Sequence, residues 1–211
     1  MGTVVGKAGA VYAVTAGAAS TAFSNQAMTV AADQKTCTIT NKTYQWWDDT
    51  VAPTIQTSPD NTTWTTAAPS TYTVQYVGGV VVFGTALAGG TYVRASAGNY
   101  WPVSQIAGGH EWTMEIDAPM LDSTEFGDLW KTFTPGISAG KGSIKRYWED
   151  GYFLGQAAVR MILALYVDYS GDERYAGYGY VAKDQIDSKV ESLVAESVDF
   201  TFTGQVYYLS A

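Results

Sequence analysis

A mainly β fold is predicted by three features of the sequence. The first is alternation with a period of two. Trp112, Met114, Ile116 and Ala118 are set against Glu111, Thr113, Glu115 and Asp117, and Val198, Phe200 and Phe202 against Asp199, Thr201 and Thr203; this is the pattern of half-buried strands. The second is the texture from Ala27 to Asn99, where short Thr/Val/Tyr runs are separated by turn residues, as in a small antiparallel β-module. The third is an aromatic content of 15 Tyr, 7 Trp and 7 Phe, residue types that favour pleated, half-buried surfaces.

The elements follow in order. Residues 1–26 are small and sparsely hydrophobic, with one strand-like run at Ala10–Val14, and are expected to form an N-terminal arm that orders against something else. In the module over 27–100, Cys37–Thr40, Thr43–Trp47 and Thr54–Thr57 read as strands. Ser58-Pro59-Asp60-Asn61 is a strong turn. Tyr72–Tyr76 and Val80–Phe83 flank Gly78-Gly79 in a hairpin signature, and Gly89-Gly90 leads into a strand over Thr91–Ala95. Asn99–Gly109 has the proline and paired glycines of a hinge into a third segment over 101–211.

That segment is organised around Trp112–Trp148. Its two limbs are the alternating strand just described and Gly142–Trp148, where Ser143, Lys145 and Tyr147 oppose Ile144, Arg146 and Trp148. Between them lies a loop of about twenty residues, long enough to be uncommon without a functional reason. It carries Phe126, Leu129, Trp130 and Phe133. Those aromatics either fold back on their own sheet or dock onto a neighbouring molecule, and docking is the favoured reading.

A short helix is expected next, with Asp150 as N-cap before Tyr152, Phe153 and Leu154. Val159–Asp168 is apolar on both faces and should be a central strand. Ser170-Gly171-Asp172 then turns the chain into a strand over Glu173–Ala182. Lys183–Ala195 fits either a helix, with Ser188 and Glu191 as a capping box, or an extended run.

Composition narrows function by exclusion. A net charge of −8 argues against a protein that grips nucleic acid through phosphate neutralisation. The single cysteine, Cys37, excludes an internal disulfide framework and reads as a small apolar filler. His110 is the sole histidine, so no metal or triad chemistry is expected of it. The Ala/Gly-rich stretch Gly9–Ala19 lacks the apolar core of a signal peptide, and no apolar run is long enough to span a membrane. No nucleotide-binding, nucleophile-elbow or zinc-protease motif occurs. Glu111, Glu115 and Asp117 share a strand face and read as a solvated face, not a glycosidase pair. The chain is therefore expected not to be an enzyme, and to need no cofactor or metal.

A set of ordered patterns resembles the siphophage tail tube (major tail) protein family. It runs Asp122-Ser123-Thr124-Glu125-Phe126-Gly127-Asp128, Trp130-Lys131, Pro135-Gly136, Gly142-Ser143-Ile144 and Tyr147-Trp148. It continues through Phe153-Leu154, Leu163–Asp168, Arg174–Tyr178 and Glu196–Phe200. Upstream, Ala27–Thr29, Thr38–Asn41, Tyr44–Asp48 and Tyr100–Ser104 resemble the small module carried by many members; Asp49-Thr50 and the length of 54–70 depart from it.

The resemblance implies a β-sandwich or half-barrel core over 101–211 with one short flanking helix and a long stacking loop. It implies hexameric rings whose sheets join into one barrel, stacked into a tube that conducts DNA without binding it specifically. Asp122, Phe126, Leu129, Trp130 and Phe133 would then contact the adjacent ring, and Glu111, Glu115 and Asp117 would contribute an acidic lumen. Partners would be further copies of the chain, a tape measure protein, and tail terminator and distal tail proteins; no membrane is involved, and the location would be the virion, after synthesis in the host cytoplasm. Two other classes compete: a monomeric surface or carbohydrate-binding module resting on Trp46, Trp47, Trp64 and Trp101, and a capsid decoration or adaptor subunit.

Overall fold

The fold is that of a computed structural model, which describes residues 9–126, 129–190 and 192–210. The first eight residues of the expected arm, Gly127-Asp128 of the loop, and Glu191 of the capping box lie outside the described residues. Strand accounts for 54% of the chain and helix for 5%, well beyond the roughly one-quarter strand of an average globular protein, so the chain is mainly β. It divides into two compact units. One holds the described residues up to Val11 together with those from Gln105 onward; the other is Tyr12–Ser104.

The strands in chain order are β1 (Ala10–Val14), β2 (Thr21–Val30), β3 (Thr36–Ile39), β4 (Thr54–Ser58), β5 (Thr65–Thr66), β6 (Tyr72–Gln75), β7 (Val80–Phe83), β8 (Tyr92–Tyr100) and β9 (Val103–Gln105). They continue with β10 (Gly109–Asp117), β11 (Met120–Asp122), β12 (Phe133–Pro135), β13 (Ala139–Tyr147), β14 (Met161–Asp168), β15 (Glu173–Asp187), β16 (Ala195–Phe202) and β17 (Tyr207–Leu209). A single helical turn, α1 (Tyr152–Gly155), precedes β14.

In the unit of Tyr12–Ser104, seven strands form one sheet in the order β5-β4-β8-β2-β3-β7-β6. Its core gathers Phe23, Met28, Cys37, Ile39, Trp47, Ile55, Val81, Phe83, Val93 and Ala95. Cys37 is fully buried, and burial lifts its thiol to a pKa of about 11, which suits an inert filler. The β6–β7 hairpin forms as the Gly78-Gly79 signature predicts. Gly79 holds φ +61°, and a Cβ there would meet the Ile39 side chain at 2.7 Å, so both backbone and space require glycine.

Three expectations for this unit are corrected. Strand β2 runs across residue 26, so the module's first long strand begins inside the segment read as an arm. Asn25 sits at φ +49° in mid-strand, and the buried residues Phe23 and Met28 are an odd number apart, which hides β2 from a period-two reading. Thr43–Trp47 is not a strand. Asn41 Oδ1 accepts from Thr43 N at 3.1 Å and caps a 3-10 turn over Lys42–Tyr44, after which Trp46 and Trp47 make only isolated bridges. Trp46 and Trp47 are themselves buried, so the four-tryptophan carbohydrate surface loses half its members to the core.

The other sheet has the order β10-β13-β16-β15-β14-β1-β9, with β17 also paired to β15, and curls as a half-barrel. Strands β1 and β9 straddle the division between the units. The central strand reads as expected: Met161, Ile162, Leu163, Ala164 and Leu165 are all buried, on both faces of β14. Val198, Phe200 and Phe202 of β16 are buried with Ile144 of β13. Truncating one such Phe to Ala would cost about 3–5 kcal/mol.

Differences from expectation here also have local causes. Helix α1 begins after Gly151, not Asp150; the Asp150 carboxylate instead accepts from Tyr152 N at 3.2 Å and from Arg146 at 2.9 Å. The ambiguous stretch is extended as far as Asp187, because β15 continues to pair with β16 through Asp187↔Ala195. Ile116, expected on the buried face of the first limb, is 55% exposed; β10 is an edge strand, and only Trp112 and Met114 lie partly covered.

Candidate assembly surface

The loop between the two limbs is a second, smaller hairpin. Strands β10 and β13 pair from Glu111↔Lys145 to Asp117↔Ala139; β11 and β12 then pair as Met120↔Pro135, Leu121↔Thr134 and Asp122↔Phe133. Backbone and polar side chains close it. Ser123 N donates to Thr132 O at 2.9 Å, Thr132 N to Thr124 Oγ1 at 3.1 Å, and Thr134 Oγ1 to Ser123 Oγ at 3.1 Å. The Asp122 carboxylate accepts from the hydroxyl and backbone N of Thr124 and faces Lys131 Nζ at 3.3 Å. The Thr124 bonds come first among the causes that hold this carboxyl below its ordinary pKa. Asp122 thus staples the hairpin while its side chain stays half exposed.

What the hairpin presents is apolar. Phe126 is fully exposed, Leu129 is 94% exposed, Trp130 85% and Phe133 50%. The aromatics therefore do not fold back onto their own sheet. Sequence reasoning missed Met120, Leu121 and Ile137, which are exposed beside them. They sit outside any periodic run, and only their position on the same hairpin marks them. Aromatic side chains offer on the order of 150–250 Å² each, so Phe126, Trp130 and Phe133 together approach or exceed the roughly 300–600 Å² of the largest apolar patch on a typical monomer.

Glu111, Glu115 and Asp117 lie together on the exposed face of β10, but they do not stand alone. Lys145 Nζ is 2.7 Å from Glu111 and Lys141 Nζ is 3.5 Å from Glu115, while Thr113 and Ser143 share a hydroxyl bond of 2.9 Å between them. The same face continues onto β16 through Ser143↔Asp199 and Lys141↔Thr201, and onto β15 through Lys183↔Asp199. Carboxylates and lysines alternate across four strands. Each exposed pair contributes at most about 1 kcal/mol; their larger effect is to spread both signs of charge over the sheet.

The remaining predicted residues are structural. His110 is exposed and stacks on Tyr147 with ring centroids 4.6 Å apart. Asp48 is buried and accepts from Thr50 N at 3.0 Å and Thr50 Oγ1 at 2.7 Å, so the Asp48-Asp49 turn beside the tryptophans is an Asx turn. Among the described residues there is no group of three or more His, Cys, Asp or Glu that could hold a metal ion, and no helix is long and apolar enough to cross a membrane.

Fold and surface together define a mainly β chain whose half-barrel sheet ends in an edge strand and an exposed aromatic hairpin. No protein-family model matches the chain, and no curated protein does. Among solved structures it is similar to the tail of an empty gene transfer agent particle refined with C6 symmetry, at 11% identity over 52% of this chain and 87% of that one, with a TM-score of 0.43. It is similar to a protein of the native gene transfer agent virion at 12% identity, 51% and 89% coverage and a TM-score of 0.43. It is also similar to the SPP1 tail tube at 13% identity, 52% and 69% coverage and a TM-score of 0.41.

Proposed function

We propose that this chain is a structural virion protein that polymerises as stacked hexameric rings into a phage tail tube, through which genomic DNA passes to the host. The observation that carries the reading is the hairpin β11–β12, closed by its own hydrogen bonds and offering Phe126, Leu129, Trp130 and Phe133 to solvent. A monomer gains nothing from that exposure, whereas a neighbouring ring would bury it. The outer edge of β10 supports the same reading, since it has no strand partner among the described residues and an open edge is completed by the next copy around a ring. Contacts that close around the ring but repeat without closing along the axis generate a tube.

In this reading the polar face of β10, β13, β16 and β15 lines the lumen. Its interleaved carboxylates and lysines offer DNA no continuous cationic track to adhere to. Further copies of the chain are the principal partner, with tape measure, terminator and distal tail proteins at the ends of the tube.

Replacing Trp130 and Phe126 with Ala separates docking from folding. Both side chains are solvent-exposed, so the double variant should unfold within about 0.5 kcal/mol of the parent while failing to assemble, as read by chemical denaturation and sedimentation velocity. Loss of the folded monomer would assign the aromatics to the core and end the docking role.

A further inference from the structure

The unit of Tyr12–Ser104 carries a polar depression apart from the β11–β12 hairpin. On one face of its sheet a row runs Thr66, Gln56, Arg94 and Ala27 across β5, β4, β8 and β2. The row is wired together: Gln56 Nε2 donates to Thr66 Oγ1 at 3.3 Å, and Arg94 Nε donates to Gln56 Oε1 at 2.8 Å. Trp64 lies against Arg94, with the guanidinium carbon 4.1 Å from the ring centroid. The guanidinium is therefore fixed from two sides, by an acceptor and by a ring. Its two terminal nitrogens make no hydrogen bond among the described residues.

Arg94 lines a depression of about 280 Å³ together with Asn25, Ala27, Asn61, Trp64 and Tyr92, and the buried residues Met28 and Val93 complete its wall. Ala27 leaves the space, as its neighbours in the row are long side chains. The amides of Asn25 and Asn61 and the Tyr92 hydroxyl have no partner among the described residues either. Asp60, the nearby carboxylate, is occupied in its own turn, accepting from Thr62 N at 2.8 Å, Thr63 N at 2.7 Å and Ser58 Oγ at 2.9 Å.

We infer that this depression binds a single oxyanion-bearing sugar unit, such as a uronate or a sugar phosphate within a larger glycan. The volume falls near the lower end of small-ligand sites, about 300–1,000 Å³, which suits one monosaccharide. Trp64 and Tyr92 supply aromatic surface for the C–H faces of the ring, and the two amides match hydroxyl groups. A preorganised guanidinium fork matches a carboxylate or phosphate in bidentate geometry. Asn25 and Asn61 hold φ +49° and +59°, a left-handed region in which asparagine is enriched; glycine there would keep the backbone and remove only the amide.

Saturation-transfer NMR on the full chain, in whatever assembly state it adopts, tests the site with D-glucuronate, D-glucose 6-phosphate and D-glucose. Saturable transfer to glucuronate or to the sugar phosphate is expected, the better of the two identifying carboxylate or phosphate as the preferred oxyanion. Arg94→Met should weaken that binding about tenfold or more, and Asn61→Gly should weaken it by a smaller factor without disturbing the fold. Equal binding of glucose, no saturable transfer to either anion, or unchanged binding by Arg94→Met would each overturn the inference.

Discussion

Arg146 and Glu196 are both almost fully buried and joined by a short charge-assisted bond, fifty positions apart in the chain. Arg146 also donates to the backbone O of Asp150 at 2.8 Å and lies over the Phe153 ring at 5.0 Å. Asp184 is the second carboxylate at Glu196. Burial is the main cause holding the Glu196 carboxyl above its ordinary pKa; Arg146 pulls it down, and Asp184 pushes it further up. A raised folded-state pKa means the folded chain keeps that proton longer than the unfolded chain. Its stabilisation is fully present below the ordinary value of 4.5 and is lost as pH rises through the folded value. Asp184→Asn removes the repulsion and should raise Tm at pH 7 by about 2–4 °C for each kcal/mol recovered, and by less at pH 4. Thermal unfolding at the two pH values measures this, and a lower Tm at pH 7 would mean that Asp184 contributes attraction instead. Alternation placed Arg146 on the face of Ile144, which was legible in the sequence. Its partner was not, because nothing in a one-dimensional pattern pairs β13 with β16.

Among the elements, those with strong periodicity were the legible ones. Strand β14 is legible as central from its two apolar faces, and β16 from Val198, Phe200 and Phe202, because burial imposes the pattern directly. The elements that escaped were set by pairing or capping instead: β2 with its left-handed Asn25, the 3-10 turn capped by Asn41, and the hairpin β11–β12 held by Asp122, Thr124 and Ser123. Length and aromatics mark the loop as unusual, yet its strands are only three residues each, too short for alternation to register. The pairing of the two limbs depends on close approach of β13 to β10. A Cβ at Gly142 would lie 2.1 Å from Thr113 O and 2.6 Å from the Phe200 ring. The first of these is backbone and cannot rotate away. Gly142→Ala should therefore destabilise the fold by about 1–3 kcal/mol, read as a lower urea midpoint; an unchanged midpoint would show that β10 shifts freely at the edge.

At the scale of the whole molecule, a net charge of −8 is carried on a chain of which only 15% is charged. The boundary between the two units is not a single cut: residues at both ends of the sequence contribute to the unit that holds strands β10–β17. Alternation on β10 shows only the carboxylates of this face; the lysines opposite them follow from the register of β10 with β13. They alter the test of the lumen reading. Glu111→Gln, Glu115→Gln and Asp117→Asn together leave Lys141, Lys145 and Lys183 without their carboxylate balance, apart from Asp199. Particles carrying this triple variant should assemble tubes and deliver DNA more slowly; unimpaired delivery through intact tubes would remove these residues from the lumen. The central claim, that the aromatic hairpin and open strand edge exist to be covered by further copies, is tested most directly by negative-stain electron microscopy of the purified chain over a range of concentrations. Stacked rings or tubes of constant diameter are the expected result, and dispersed monomers at every concentration would contradict it.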